Sequence, residues 1–206
     1  KVALPVKSLD RNNLVLYLGS FSKVLFPGIR IGWIAADRES IQRLNSIKKF
    51  SDLSSNNIMQ AALWEFCRQG HFEKHIKRMH REYRKRMHVA LAGLKEKVSH
   101  YEKVKWNEPT GGYLIWIKLF DIDMDEDDLR ELFFRHGAAV VPGKFFYPGI
   151  NGTAPREKKR AFHLRLSISA LNENEIATGI GRFANAIKEN NPNIVPLCSF
   201  VSTVLL

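Results

Sequence analysis

Two short apolar runs near the N-terminus constrain the fold more than any other feature of this chain. Residues 13–19 and 30–36 each hold a nearly continuous apolar stretch bounded by turn-forming or polar residues. Runs of this length are typical of strands buried on both faces, as in a parallel or mixed α/β sheet. Pro27-Gly28 lies between them and predicts a tight turn. We therefore expect strand, turn and strand, with residues 20–23 at the end of a buried strand, where α/β sheets usually bind ligands.

The segment between the two runs carries side chains that suit one cofactor. Lys23 supplies an amine that can form a Schiff base with an aldehyde. Ser20 and Ser22 supply hydroxyls, and Arg30 supplies a planar fork that binds phosphate through two hydrogen bonds. An aldehyde that carries a phosphate describes pyridoxal 5′-phosphate. A solvated loop lysine beside turn-forming serines is the alternative interpretation of the same four residues.

Residues 20–33 read S-F-S-K-x-x-F-P-G-x-R-x-G-W. This unit closely resembles the lysine region of the class I/II aminotransferases, which are fold-type I pyridoxal-phosphate enzymes. The resemblance implies that Lys23 is the catalytic, Schiff-base lysine. It also implies that Ser20, Ser22 and Arg30 bind the phosphate of the cofactor.

Three later elements match the same family in the same order. Residues 108–117 resemble its P-x-G-G-x-F-x-W strand, and Gly111 and Gly112 permit close backbone approach or a positive φ. Residues 140–146 match V-x-P-G-x-x-F, and residues 162–169 match the R-L-S-x-S strand. The resemblance implies that Arg165 binds the α-carboxylate of an amino-acid substrate. Burial of an arginine in a strand costs free energy unless the guanidinium contacts an anion. The alternative anion is an acidic residue of the chain itself, in an internal ion pair.

Helical periodicity covers much of the remaining chain. Residues 60–97 predict a long helical stretch, broken at Gln69-Gly70-His71 because glycine commonly ends helices. The acidic run 123–128 predicts the first turn of a helix, where the macrodipole favours carboxylates. The last helix is expected over residues 174–188, before an Asn-Pro-Asn sequence and an apolar tail too short to span a bilayer.

By this resemblance the chain is an α/β protein, the C-terminal part of a fold-type I pyridoxal-phosphate transferase. We expect residues 1–47 to be the end of the large cofactor domain and residues 48–98 to form connecting helices. Residues 99–190 would form a small α/β domain, and the role of residues 191–206 is open. The family also implies a homodimer that acts on an amino acid and a 2-oxo acid.

The length departs from the family pattern. Family members are roughly twice as long, and the chain starts at Lys1 rather than methionine, which suggests a processed or truncated polypeptide. The groups that contact the cofactor ring come from upstream segments in the family. We therefore expect an incomplete cofactor site, little or no transamination, and an exposed apolar surface around a strand without neighbours. Residues 99–190 are expected to be compact alone, and residues 1–47 poorly ordered, swapped or self-associated.

The net charge of +11 raises the possibility of nucleic-acid binding. Many of the basic residues lie between Arg68 and Lys97, where they alternate with apolar positions as on the solvated face of an amphipathic helix. No helix-turn-helix, RNP or zinc-finger pattern is present. Cys67 and Cys198 are too few for a disulfide framework, which favours a reducing cytoplasm.

No metal site is expected. The helix 60–97 carries four histidines, His71, His75, His80 and His88, and we interpret them as surface residues because no carboxylate-rich motif accompanies them.

Two functions follow from the resemblance. The first is a pyridoxal-phosphate-dependent aminotransferase, represented by its C-terminal portion. The second is the aminotransferase-like effector domain of a MocR-type regulator of the GntR family, which would contact DNA only through an upstream domain. The identity of the substrate is not readable from these residues.

Overall fold

A computed structural model describes residues 4–52, 55–122, 124–147 and 161–190. The described residues divide into two compact units, one ending at Arg78 and the other beginning at Met79. We describe each unit by itself. The domain boundaries expected from the sequence stay a prediction.

The first unit contains two strands and the helices that follow them. Its strands are β1 (Tyr17–Ser20) and β2 (Gly32–Ala35), separated by a 3₁₀ helix at Pro27–Ile29. Another 3₁₀ helix, Val6–Leu9, precedes them. The helices are α1 (Arg38–Ser51), α2 (Asn57–Arg68) and the first turns of α3 (His71–Lys97). Gly70 separates α2 from α3 with a φ of 72°, which confirms the predicted break.

The prediction that β1 and β2 are buried in a parallel or mixed sheet is wrong for the described chain. They form a two-stranded antiparallel sheet in which Tyr17 pairs with Ala35, so the first strand has a neighbour after all. No further strand in the described residues flanks this pair, and its apolar side chains stay exposed, with Leu18 65% exposed. The exposed apolar surface expected from the sequence is therefore present.

The first apolar run is also shorter as a strand than its sequence predicts. The carboxylate of Asp10 accepts hydrogen bonds from the amides of Leu14 (3.0 Å) and Val15 (3.1 Å). Because these amides already have an acceptor, the run begins as a side-chain-capped turn, and β1 begins only at Tyr17.

The second unit is a four-stranded antiparallel sheet with three helices. Its strands lie in the order β3 (Val104–Trp106), β4 (Leu114–Phe120), β6 (Ala161–Ser167) and β5 (Val141–Pro142). The rest of α3 packs with α4 (Glu126–Arg135) and α5 (Glu173–Glu189). A 3₁₀ helix, Gly143–Phe146, follows β5 directly. Buried and more exposed side chains alternate along β4, where Ile115, Ile117 and Leu119 are fully buried.

The core of the second unit is built from aliphatic residues and two stacked rings. Phe133 of α4 and Phe183 of α5 lie 4.7 Å apart between ring centroids, and both are almost fully buried. Leu94 of α3 and Leu164 of β6 complete the contact between helices and sheet. Burial of this many apolar side chains is the main stabilising contribution to such a fold.

The helix ends of this unit agree with the sequence patterns. Asp125 caps α4 by accepting the amides of Asp127 and Asp128 at 2.9 and 2.8 Å, which confirms the predicted acidic start. Asn172 and Glu175 form a reciprocal capping box at the start of α5, the predicted last helix. Asp123, Cys198 and residues 191–206 lie outside the described residues.

Candidate functional site

The predicted cofactor residues belong to one end of the β1–β2 hairpin. Ser20 ends β1 and pairs with Gly32, the first residue of β2. Lys23 lies in the turn that follows Ser20, and Arg30 comes two residues before Gly32. The hairpin register therefore brings four predicted site residues to the same end of the sheet: Ser20, Ser22, Lys23 and Arg30.

The turn that carries Lys23 is held by backbone hydrogen bonds. The amide of Phe21 donates to the carbonyl of Ile31 at 3.1 Å, which extends the pairing one step beyond the strands. The amides of Val24 and Leu25 both donate to the carbonyl of Phe21, at 3.2 and 2.8 Å. The backbone of Lys23 is thus fixed inside a single helical turn at the end of the hairpin.

The polar side chains of this group are open to a ligand. Ser20 Oγ accepts a hydrogen bond from the amide of Ser22 at 3.2 Å, which leaves its own proton free to donate. Lys23 and Arg30 are exposed. Among the described residues, neither side chain has a hydrogen-bond or ion-pair partner. An amine and a guanidinium without such partners, beside a hydroxyl that can still donate, are suited to an anionic ligand.

Arg30 has an unusual backbone conformation. Its φ of 51° and ψ of 35° place it in the left-handed region as the C-terminal cap of the 3₁₀ helix. This conformation costs a non-glycine residue about 1–2 kcal/mol. Strained residues of this kind cluster at ligand-binding sites, and Arg30 combines such a backbone with an exposed side chain at the hairpin end.

His75 contacts the lysine turn, so the interpretation of His75 as an ordinary surface histidine is wrong. It is half-buried in the first turns of α3, and its Nε2–H donates to the carbonyl of Val24 at 2.7 Å. Phe72, one turn earlier, packs edge-to-face on Phe21 with centroids 5.8 Å apart. Phe72 and His75 are three residues apart and therefore lie on one helix face, but nothing in the sequence indicates that this face contacts the lysine turn.

Arg165, the residue predicted to bind the substrate carboxylate, lies in the second unit. It is half-buried in β6, where it pairs with Trp116 of β4 on one side and Val141 of β5 on the other. Its Nε is buried, and no hydrogen-bond partner faces it among the described residues. The internal ion pair considered as the alternative is absent from the described part of the chain.

One aromatic ring contacts this arginine, and further rings pack next to that ring. The ring of Phe146 lies over the Arg165 guanidinium, 4.4 Å from Cζ to the centroid. Trp116 packs edge-to-face on Phe146 at 5.8 Å and stacks on His163 at 5.5 Å. The hydroxyl of Tyr147 hydrogen-bonds His163 Nδ1. Phe146 is the last residue of the V-x-P-G-x-x-F match, but no sequence pattern predicts its contact with Arg165.

The glycine-containing strand meets β6 near the same region. Of the two properties expected of Gly111 and Gly112, a positive φ is present at Gly112, at 81°, whereas no atom of the described residues lies within 4 Å of a Cβ placed on either glycine. The carbonyl of Tyr113 accepts the amide of Ile168 at 3.0 Å, and its ring packs on Tyr83 at 5.6 Å.

Arg86 is a second arginine that the sequence analysis did not select. Its Nη1 donates to the carbonyl of Ser169 at 2.7 Å, just beyond the end of β6. Its Nε is buried without a partner among the described residues. It was read only as part of a basic helix, and no spacing in the sequence distinguishes it from its basic neighbours.

In the described ranges, no group of three or more His, Cys, Asp or Glu residues could hold a metal ion. None of the helices in the described part of the chain combines the length and apolar character that crossing a bilayer requires.

Comparison with known families gives one match over most of the chain. The family model for aminotransferase class I and II matches residues 4–183. About 90% of the chain superposes on fold-type I aminotransferase structures.

Individual relatives fall into two groups. "Aromatic-amino-acid aminotransferase 1" of Thermococcus litoralis is 36% identical over 90% of this chain. The "uncharacterized HTH-type transcriptional regulator YdfD" of Bacillus subtilis is 39% identical over 56% of this chain and 23% of its own length.

One of the similar solved structures contains a bound ligand. LysN, an α-aminoadipate aminotransferase from Thermus thermophilus complexed with N-(5′-phosphopyridoxyl)-L-leucine, is 30% identical over 87% of this chain and 43% of its own, with a TM-score of 0.72. The chain spans less than half the length of such relatives, 42% in the Thermococcus litoralis enzyme.

Proposed function

Because this chain belongs to the class I and II aminotransferase family, we propose that the protein that carries it is a pyridoxal-phosphate-dependent transaminase. It transfers an amino group between an α-amino acid and a 2-oxo acid. One observation carries the proposal: Lys23, Ser20, Ser22 and Arg30 share one end of the β1–β2 hairpin, with Lys23 and Arg30 unpartnered among the described residues.

The residues at the hairpin end fit the cofactor that the family implies. The amine of Lys23 would hold its aldehyde, and Ser20, Ser22 and Arg30 would hold its phosphate by hydrogen bonds and charge. The exposed, strained Arg30 supports this assignment, since it presents its fork without an internal partner. When bound, the cofactor supplies the electron sink that makes the Cα proton of an amino acid acidic.

The protein side chains supply orientation and proton transfer. Once a substrate amine has displaced it, the amine of Lys23 would act as the general acid–base group that takes up and gives back the Cα proton of the substrate. The fork of Arg165 fixes the α-carboxylate, and the phosphate ligands keep the ring in place while bonds change. These roles need hydrogen-bond donors that no internal acceptor occupies, and Lys23, Arg30 and Arg165 have such donors among the described residues.

The wider properties follow from the family. We propose a cytoplasmic homodimer with residues 1–47 as the end of its cofactor domain, residues 48–98 as connecting helices and residues 99–190 as its small domain. We also propose that residues 1–206 alone form an incomplete site with little transamination. This part of the proposal is supported by the match to the Thermococcus litoralis enzyme, because the match covers only 42% of the length of that enzyme.

A regulatory role is the second candidate. The similarity to YdfD, described as an HTH-type transcriptional regulator, favours an aminotransferase-like effector domain that binds the same cofactor without turnover. A winged-helix segment encoded upstream of Lys1 would support this role. A complete large domain upstream would support the transaminase.

Trapping of the cofactor on Lys23 tests the proposal. The full protein with added pyridoxal phosphate should show imine absorption, and borohydride should fix the cofactor on the peptide that contains Lys23. Lys23→Ala should abolish both signals, whereas Lys74→Ala, which removes an exposed lysine of α3, should leave them unchanged. Retention of the signals in Lys23→Ala would overturn the assignment.

A further inference from the structure

In the second unit, Arg165 is a half-buried cation without a hydrogen-bond or ion-pair partner among the described residues. Its backbone is held on both sides, by Trp116 and Val141, so its position in the sheet is fixed. The buried Nε has no partner among the described residues. A guanidinium on a long side chain then needs another contact to hold one orientation, because its rotamers are otherwise free.

Phe146 supplies that contact. Its ring lies 4.4 Å from Arg165 Cζ, well inside the distance at which a cation is attracted to a ring face. A carboxylate approaches a guanidinium along the plane of the fork, whereas a ring occupies the face. The ring and a carboxylate therefore do not compete. The ring can fix the plane of the Arg165 guanidinium, and the edge of the guanidinium stays available to a carboxylate.

The ring of Phe146 is itself held in place. Trp116 packs its edge against it at 5.8 Å. Gly143, which begins the same 3₁₀ helix, lies so close to β6 that a Cβ there would be 2.5 Å from the Cβ of His163. Lys144 ties the helix to α4 through an ion pair with Asp127 at 2.9 Å.

We propose that Phe146 is a positioning residue that orients the Arg165 fork for the substrate carboxylate. This inference rests on the proposed role of Arg165 and goes beyond it by naming the group that sets its orientation. Phe145 offers a matched control, since it is the adjacent phenylalanine, is 66% exposed and contacts Lys144 rather than Arg165.

Binding of an unreactive acid tests the inference without turnover. Calorimetry on the full protein with cofactor would measure Kd for 3-phenylpropionate and for 3-phenylpropanamide, its uncharged match. Phe146→Leu should weaken binding of the acid by about threefold to thirtyfold, the range expected for a cation–ring contact, and leave the amide unchanged. Phe146→Tyr should restore the wild-type preference, and Phe145→Leu should retain it.

Arg165→Gln separates this inference from the proposed function. If it keeps the preference for the acid over the amide, or the wild type has none, the carboxylate role of Arg165 is wrong. If Arg165→Gln loses the preference but Phe146→Leu keeps it, the role of Arg165 stands and the inference fails. An equal loss for acid and amide in Phe146→Leu would show general damage to the pocket and would also overturn the inference.

Discussion

Asp10 organises the chain that leads into the hairpin. Its side chain is 3% exposed, pairs with Lys7 at 2.7 Å and accepts the amides of Leu14 and Val15. The hydrogen bond from Lys7 is the main cause that holds the pKa of the Asp10 carboxyl far below its ordinary value. A carboxylate with a lowered pKa stabilises the folded state above its ordinary pKa, and this contribution is lost as pH falls.

This linkage predicts pH-dependent protection of two amides. At pH 6, Asp10→Ala should raise the hydrogen-exchange rates of Leu14 and Val15 relative to wild type at the same pH. The difference should begin to shrink below about pH 4 and vanish only where Asp10 itself becomes protonated in the folded protein. Exchange measured by NMR across this range checks it.

The control for Asp10 is a second aspartate cap. Asp37 accepts the amide of Ser40 at 3.0 Å at the start of α1. Asp37→Ala should therefore speed exchange at Ser40 and leave Leu14 unchanged, with Asp10→Ala showing the reverse. Equal effects of both variants at all three amides would mean that the first unit opens as a whole.

At the scale of elements, the first turns of α3 determine the geometry of the lysine turn. Removal of the His75 donor leaves the carbonyl of Val24 half-buried without a partner, which costs about 1–3 kcal/mol locally. We expect His75→Leu to loosen the turn and to speed exchange of the Leu25 amide, which donates to Phe21. Hydrogen exchange on the wild type and the variant measures this effect.

His80 provides the comparison for His75. It lies on the same helix, is exposed and has no hydrogen-bond partner among the described residues. His80→Leu should leave exchange of the Leu25 amide at the wild-type rate. If His75→Leu does the same, the His75 contact does not hold the lysine turn.

The elements that the sequence predicted well are those with local signals. The break at Gly70, the acidic start of α4 and the last helix all follow from caps and periodicity within a few residues. The burial of β1 was predicted wrongly because it depends on neighbouring strands that the described chain does not provide. His75 could not be assigned from sequence, since its contact joins residues 51 positions apart.

The site residues show the same division. Lys23 and Arg30 were selected by a contiguous motif, and the hairpin register places them at one end of the sheet. Phe146 and Arg86 were missed because their contacts with Arg165 and Ser169 come from packing of distant elements. Propensity and motif therefore identify reactive groups, whereas the residues that orient them emerge only from the fold.

At the scale of the whole molecule, the two units differ in how much apolar surface they bury. In the described part of the first unit, Ile29 alone among the hydrophobic residues is buried. The second unit buries a continuous cluster that runs from Met87 to Ile187. Since burial of apolar area dominates stability, the second unit should account for most of the cooperative unfolding of the 206-residue chain.

Paired large-to-small substitutions test this difference. Phe133→Ala removes a fully buried ring that stacks on Phe183, and it should destabilise the second unit by about 3–5 kcal/mol. The main thermal transition should then fall steeply or disappear. Ile29→Ala removes a side chain that is 3% exposed in the first unit, yet it should leave that transition at the wild-type temperature. Differential scanning calorimetry of the three proteins makes the comparison.

Phe134→Ala serves as the surface control, since Phe134 is 68% exposed beside Phe133 and its loss should change the transition little. Limited proteolysis should agree, with wild-type cleavage first in the exposed hairpin and a resistant product that retains α4 and α5. If Ile29→Ala lowers the main transition as much as Phe133→Ala, the two units unfold as one cooperative body. In that case residues 99–190 do not form an independent domain.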